Sequence, residues 1–167
     1  MPHARCGTRL AYEFSVMTYL EMGEWTLLHT AAQAVRTAVF VHEQGIAPED
    51  EWDTADATAL HAVLFDISGQ PLGNARLLQH SDSVAKVGRM AVLLEARGRG
   101  YGARLLQALL REARRRGNQE VRLSAQRTAE KFYAAHGFVV VGEPFDEVGI
   151  AHVEMRLNLV ESPLHPV

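Results

Sequence analysis

The sequence predicts an α/β domain in which helices flank one mixed sheet, and three stretches carry that reading. Leu60 to Ile67 and Leu72 to Gln79 are β-rich runs joined by Ser68-Gly69-Gln70, the pattern of a hairpin. Val84 to Leu94 is an apolar run of strand character, and after it Leu105, Leu106, Leu109, Leu110 and Ala113 recur at helical spacing through Ala103 to Arg115. Val121 to Ala125 then alternates, with Val121, Leu123 and Ala125 on one side and Arg122, Ser124 and Gln126 on the other. Antiparallel strands followed by a strand–helix–strand crossover make a central mixed sheet.

The remaining elements follow in chain order. Residues 1–16 carry Arg5 and Arg9 without a continuous apolar core, so they read as a loose extension rather than a signal peptide. An over-long start assignment would account for them. A single domain is expected over 17–160, with 161–167 as a tail. Trp25 to Phe40 reads as an amphipathic helix with Leu28, Ala31, Ala32, Val35 and Val39 on one stripe. Gly45 to Asp56 is acidic and broken by Pro48, hence a loop. Ser81-Asp82 turns the chain into the third strand, and Gly117 ends the long helix. A short helix around Thr128 to Ala135 stops at Gly137. The strand Phe138 to Val141, a loop around Pro144 to Gly149 and a last strand Ala151 to Leu159 complete the expectation.

Composition narrows the function classes. The 167 residues are 47% hydrophobic with a formal net charge of −3, ordinary for a globular domain and unsuited to general nucleic-acid binding. Arg111, Arg114, Arg115 and Arg116 sit at the end of the long helix, where positive charge suits the helix dipole. One cysteine, Cys6, leaves no internal disulfide framework. The 8 histidines show neither H-x-x-x-H nor H-x-H spacing, so no metal is expected. No apolar run reaches membrane-spanning length, and a cytoplasmic protein is the simplest expectation.

Arg97-Gly98-Arg99-Gly100-Tyr101-Gly102 lies between the third strand and the long helix. The first N–H groups of a helix have no internal partner, and glycine lets an anion approach the main chain where a Cβ would stand. Arg97 and Arg99 add positive charge, so phosphate or pyrophosphate is the expected ligand. The dinucleotide fingerprint needs its last glycine three residues after the second and an acidic residue on the next strand; neither is present. A Walker loop needs Gly-Lys-Ser/Thr, which is also missing. A disordered Arg-Gly tail does not fit a segment that joins two regular elements.

The spacing Arg97-x-x-Gly100-x-Gly102 resembles the acetyl-CoA motif R/Q-x-x-G-x-G/A of the GNAT acyltransferases. Met90-Ala91-Val92, four residues, then Arg97-Gly98-Arg99-Gly100 is similar to that family's x-A-V-x-x-x-x-R-G-x-G. Ala129 to Phe138 resembles its second hallmark, A-x-x-F-Y-x-x-x-G-F. Together these cover residues 84 to 141. Ala38 to Gln44, the following acidic residues with Asp56 to His61, and Asp146 to His152 resemble the small bacterial ElaA-like branch. The resemblance implies the GNAT fold, acetyl-CoA as co-substrate, and direct transfer of its acetyl group to a primary amine in a ternary complex. It implies that Met90, Ala91 and Val92 bind the cofactor, the main chain of Met90 and Val92 pairing with the pantetheine arm like an added strand. Arg97, Gly98, Arg99, Gly100, Tyr101 and Gly102 would hold the pyrophosphate. A monomer or homodimer acting on a small-molecule or lysine-like amine is expected, with no nucleic acid or membrane partner. Two alternatives stand beside this: a non-catalytic acyl-CoA-binding or sensing module, and an acyl-homoserine-lactone-synthase-like enzyme.

For catalysis the resemblance places Tyr133 near the CoA sulfur, where a phenol can protonate the leaving thiolate. Some GNAT enzymes carry a glutamate on the strand before the anion loop; here that strand offers Lys86, Gly88 and Arg89. The base is therefore sought among Glu43, Asp53, His61, His152 and a bound water. Partial burial is expected to raise the Glu43 pKa, and histidine titrates near neutrality. Glu43, Glu49, Glu51, Asp53, Asp146 and Glu147 make the expected acceptor walls acidic, which favours a cationic acceptor such as a polyamine, an aminoglycoside or a lysine-like amine.

Overall fold

The computed structural model describes residues 17–160; the expected extension 1–16 and tail 161–167 lie outside the described residues. Seven strands form one sheet in the order β1-β2-β3-β4-β5-β7-β6. The strands are β1 (Thr18–Gly23), β2 (Leu60–Asp66), β3 (Pro71–Gln79), β4 (Val84–Val92), β5 (Glu120–Gln126), β6 (Val139–Glu147) and β7 (Ile150–Asn158). The helices are α1 (Trp25–Arg36), α2 (Pro48–Glu51), α3 (Tyr101–Arg115) and α4 (Glu130–Ala135). Only β4 and β5 run parallel, as the crossover through α3 requires.

Each face of the sheet takes one long helix. Leu105, Leu106, Leu109, Leu110 and Ala113 of α3 are buried against Ala62, Leu64, Ala75, Leu77 and Val87. Each such leucine contributes about 1.5–3 kcal/mol by leaving water. Gly73 on β3 is needed for this fit, because a Cβ there would stand 2.9 Å from Leu105 Cδ1 and 3.2 Å from the Ala91 carbonyl. On the other face Leu28 and Ala32 of α1 cover Val63 and Phe65. The pairings His61–Arg76 and Val63–Asn74 put three charged or polar side chains, His61, Asn74 and Arg76, on this second face.

Four elements differ from the sequence expectation. α2 (Pro48–Glu51) is a helical turn inside the segment expected as a loop, with Pro48 at its first turn rather than breaking it. β1 forms where no strand is expected; it is an edge strand with alternate residues exposed, and Tyr19 stacks on Phe65 at 5.2 Å. The first helix stops being α-helical at Arg36 and continues as a π-helix over Thr37–Glu43, with Gln44 N–H donating to the Val39 carbonyl at 3.0 Å. β6 continues to Glu147 because a register shift between Val141 and Phe145 absorbs Gly142, Glu143 and Pro144. Proline has no N–H to donate, which an edge strand tolerates at a bulge.

Candidate active site

β4 and β5 pair only from Val84 to Lys86 against Glu120 to Arg122, then part. The divergence opens a cleft of about 690 Å³. Its walls are β4 from Lys86 to Val92, Ser124 and Gln126 of β5, and Phe132 and Tyr133 of α4. Past Lys86, the main chain of β4 therefore has no strand partner on the β5 side. Met90, Ala91 and Val92 are in this stretch.

The glycine loop stands at the head of α3. Gly98 (φ +76°) and Gly100 (φ +78°) are both left-handed, which only glycine adopts cheaply. A Cβ built on either would meet nothing within 4 Å, so the space over the loop is open. Among the described residues no N–H from Gly98 to Ala103 donates to a protein acceptor; the first bond is from Arg104 N–H to the Gly100 carbonyl, 3.1 Å. No acidic residue occupies the first turn of α3. Six consecutive free donors at a helix N-terminus are an arrangement suited to an anion. Gly102 lies at the next step, where a Cβ would reach 3.4 Å from Phe132 Cζ.

Arg97 is directed elsewhere. Its Nη1 and Nη2 each donate to a Glu43 carboxylate oxygen at 2.7 Å, and its Nε donates to the Val92 carbonyl at 2.9 Å. Its guanidinium is thus committed to Glu43, whereas Arg99 makes no ion pair among the described residues. The same contact reverses the expectation for Glu43. The hydrogen bonds from Arg97 hold the Glu43 carboxyl below its ordinary value instead of raising it. A carboxylate so stabilised is a poor base at neutral pH.

Tyr133 and His152 line the cleft. Tyr133 is buried, its hydroxyl donates to Met90 Sδ at 3.4 Å, and burial pushes its pKa up to about 12. The phenol therefore keeps its proton through neutral pH. His152 pairs with Gln126 across β5 and β7 and stacks on Phe145 at 5.9 Å. Its Nδ1 is 2.7 Å from the Ile150 carbonyl, which can only accept, so Nδ1 carries the proton and Nε2 presents a lone pair. Glu147 Oε2 stands 3.7 Å from Nε2.

His61 is removed from the cleft. It is fully buried, its Nε2 is 2.9 Å from the Asp56 carbonyl, its ring packs on Trp25 at 4.8 Å, and burial lowers its pKa. It acts as a core residue under α1.

Three arginines take up much of the expected acidic wall. Arg36, wholly buried, donates to Glu51 Oε1 at 2.6 Å and Asp56 Oδ1 at 2.8 Å. Arg76 grips both Asp53 oxygens at 2.7 Å and Asp56 at 2.8 Å. Arg89 reaches Asp53 Oδ2 at 3.1 Å. Bonding to Arg76 holds the Asp53 carboxyl down at about 2, which removes it as a base at neutral pH. Three cations and three anions balance, so Glu51 and Asp53 present no free negative charge to an acceptor. The sequence signal for this cluster was available: Arg36 falls on the apolar stripe of its helix, and Arg76 sits mid-strand on a buried register. Reading the acids as the wall of an acceptor site missed it.

A GNAT acetyltransferase domain model matches residues 28–159. The chain belongs to the GNAT acetyltransferase family. The uncharacterized N-acetyltransferase YjcF of Bacillus subtilis is 35% identical over 122 residues, 72% of this chain and 86% of that protein. An acyl-CoA N-acyltransferase from Pseudomonas aeruginosa is 32% identical with a TM-score of 0.75, covering 84% of this chain and 99% of that one. Escherichia coli ElaA superposes with a TM-score of 0.75 at 26% identity, over 84% of this chain and 99% of that one. The GNAT fold and an N-acetyltransferase enzyme are thereby established, and the resemblance to the ElaA-like branch holds. No helix among the described residues is long and apolar enough to cross a membrane, and they hold no cluster of three or more metal-ligating side chains.

Proposed function

We propose that this GNAT enzyme binds acetyl-CoA with its pyrophosphate on the Gly98–Ala103 main chain and its pantetheine arm along Met90–Val92, and transfers the acetyl group directly to a primary amine. The observation that supports the reading most is the run of six free N–H groups under open space at the mouth of the β4–β5 cleft. Arg99 adds charge there, and Tyr101 starts the helix whose dipole faces the phosphates.

The amine arrives as an ammonium ion and must lose one proton before its nitrogen can attack the thioester carbon. His152 Nε2 is the side-chain acceptor we assign, with Glu147 beside it to steady the imidazolium; a bound water is the other acceptor. The C–N bond forms, the C–S bond breaks, and Tyr133 gives its proton to the departing thiolate. The second amine proton leaves the tetrahedral adduct before the C–S bond breaks and returns through solvent to the Tyr133 phenolate, so one proton, the one taken by His152 or water, is released per turnover. Cys6 lies outside the described residues, and direct transfer needs no cysteine nucleophile.

Incubating the protein with acetyl-CoA and a panel of polyamines, aminoglycosides and lysine-like amines tests the proposal. Release of free CoA that depends on one amine class is expected, at a rate that rises with pH as the amine loses its proton, and His152→Gln should lower kcat while leaving acetyl-CoA affinity near its original value. Tight acetyl-CoA binding without turnover on any amine would favour a sensing module. The family match is to an acetyltransferase domain, which places an acyl-homoserine-lactone synthase second.

A further inference from the structure

β4 is interrupted at the point where it enters the cleft. Arg76 of β3 faces Gly88, yet Asn74 faces Ala91, so Arg89 and Met90 share the single place opposite Ala75. This is a β-bulge, and Arg89 occupies it with φ of +50°. A side chain rarely adopts that conformation, and glycine is the usual occupant. The contacts around Arg89 show what holds it. Its carbonyl accepts from Asn74 Nδ2 at 3.0 Å, its Nη2 donates to Asp53 at 3.1 Å, and its Nε lies 3.3 Å from both the Glu51 carbonyl and Glu51 Oε1. Both acids are fixed in turn, Glu51 by Arg36 and Asp53 by Arg76.

We propose that Arg89 is a positioning residue for acyl transfer: tied at its far end to Glu51 and Asp53, it holds the β4 bulge so that the main chain of Met90 stays turned to the cleft while that of Ala91 stays on the β3 ladder. The proposal rests on the acetyl-transfer reading above. Donors fixed before the reaction stabilise charge developing on the acetyl oxygen without reorganising, whereas donors on a relaxing bulge do not. Glycine would suit the backbone angle but would leave the bulge free to flatten into an ordinary strand. An arginine anchored on two carboxylates keeps one conformation. It also gives the Glu51–Asp53 segment a role that a merely solvated loop lacks.

Three variants separate positioning from simple stability. Arg89→Gly removes both the tie and the backbone strain, Arg89→Ala removes the tie and keeps the strain, and Arg89→Lys keeps the charge without the two-pronged geometry. The readouts are thermal melting, free CoA affinity, kcat with the best amine of the panel, and hydrogen exchange at the Ala91 amide, which lies on the β3 ladder opposite Asn74. Arg89→Gly should melt no lower than Arg89→Ala and lose far less in affinity for free CoA than in kcat. Its kcat should fall by about tenfold or more while the Ala91 amide exchanges faster. Arg89→Lys should fall between it and the unaltered protein. An Arg89→Gly protein with undiminished kcat, or with Ala91 exchange as slow as in the unaltered protein, overturns the proposal alone. If the unaltered protein transfers acetyl to no amine, the function reading falls and this proposal with it.

Discussion

Gly100→Ala separates the cost of backbone strain from the loss of a ligand. Gly100 sits at φ +78° as the N-terminal cap of α3, and an added Cβ would meet no atom within 4 Å. Nothing in the free protein resists the methyl group except the left-handed backbone, which costs a side chain about 1–2 kcal/mol. For a domain of this size each kcal/mol lowers the melting temperature by about 2–4 °C. The open space is the place proposed for the pyrophosphate, so the methyl group should shorten the approach to the N–H groups of Tyr101 and Gly102. Loss of at least about tenfold in acetyl-CoA affinity, or 1.4 kcal/mol, is the expected result. Calorimetric titration gives the affinity and a thermal melt gives the strain. Gly98→Ala, at φ +76° with equally open space, should behave alike. A folded Gly100→Ala protein with unchanged acetyl-CoA affinity would refute the anion-site reasoning.

Other consequences are as direct. Tyr133→Phe should lower kcat while leaving acetyl-CoA affinity near its original value, because the proton matters only as the thiolate leaves; equal kcat would make Tyr133 a packing residue. With its pKa near 12, ionisation of that phenol should cause no fall in rate below about pH 10. Glu43→Gln breaks an ion pair whose two side chains are each about a third exposed, so chemical denaturation should show a loss of under about 1 kcal/mol. It should also leave the neutral rise of rate intact, since Glu43 is already ionised there; a flattened rise would restore it as base. Asp53 has its pKa lowered from 3.8 to about 2, chiefly by hydrogen bonding to Arg76. Its stabilising contribution is therefore full above pH 4 or so and lost as pH falls through about 2. The stability gap between the unaltered protein and Asp53→Asn should narrow over that window, and a gap independent of pH would contradict the assigned pairing.

Strong local patterns were legible and weak ones were not. The α3 stripe and the β5 alternation appear as read, because each buries one whole face. Gly98, Gly100 and Gly102 announced a loop whose left-handed turns the structure contains. β1 escaped because Thr18 to Gly23 is an edge strand with a half-exposed pattern and no turn signal ahead of it. The π-turn at Thr37–Glu43 leaves no mark in apolar spacing, since Val39, which falls on the stripe of an α-helix, is also buried in the π-turn. Glu43 was misread for a related reason: its partner Arg97 is 54 residues away, and no local rule reports that meeting.

The two halves of the cleft differ in what their chemistry demands of a sequence. A pyrophosphate is the same for every enzyme that binds CoA, and bare N–H groups on left-handed turns meet it with glycines at fixed offsets. An acceptor amine imposes no such pattern. Here the acids that looked like its contacts serve the protein itself: Glu51, Asp53 and Asp56 neutralise Arg36, Arg76 and Arg89. Removing one member should therefore act through the others. Arg36→Ala would leave buried Glu51 to Arg89 alone and Asp56 to Arg76 alone, so its cost should stay below the roughly 3–5 kcal/mol of a buried charge left with no partner. Acceptor preference should consequently be sought in Asp50, Lys86, Ser124, Gln126, Glu147 and His152, which line the cleft outside that closed network.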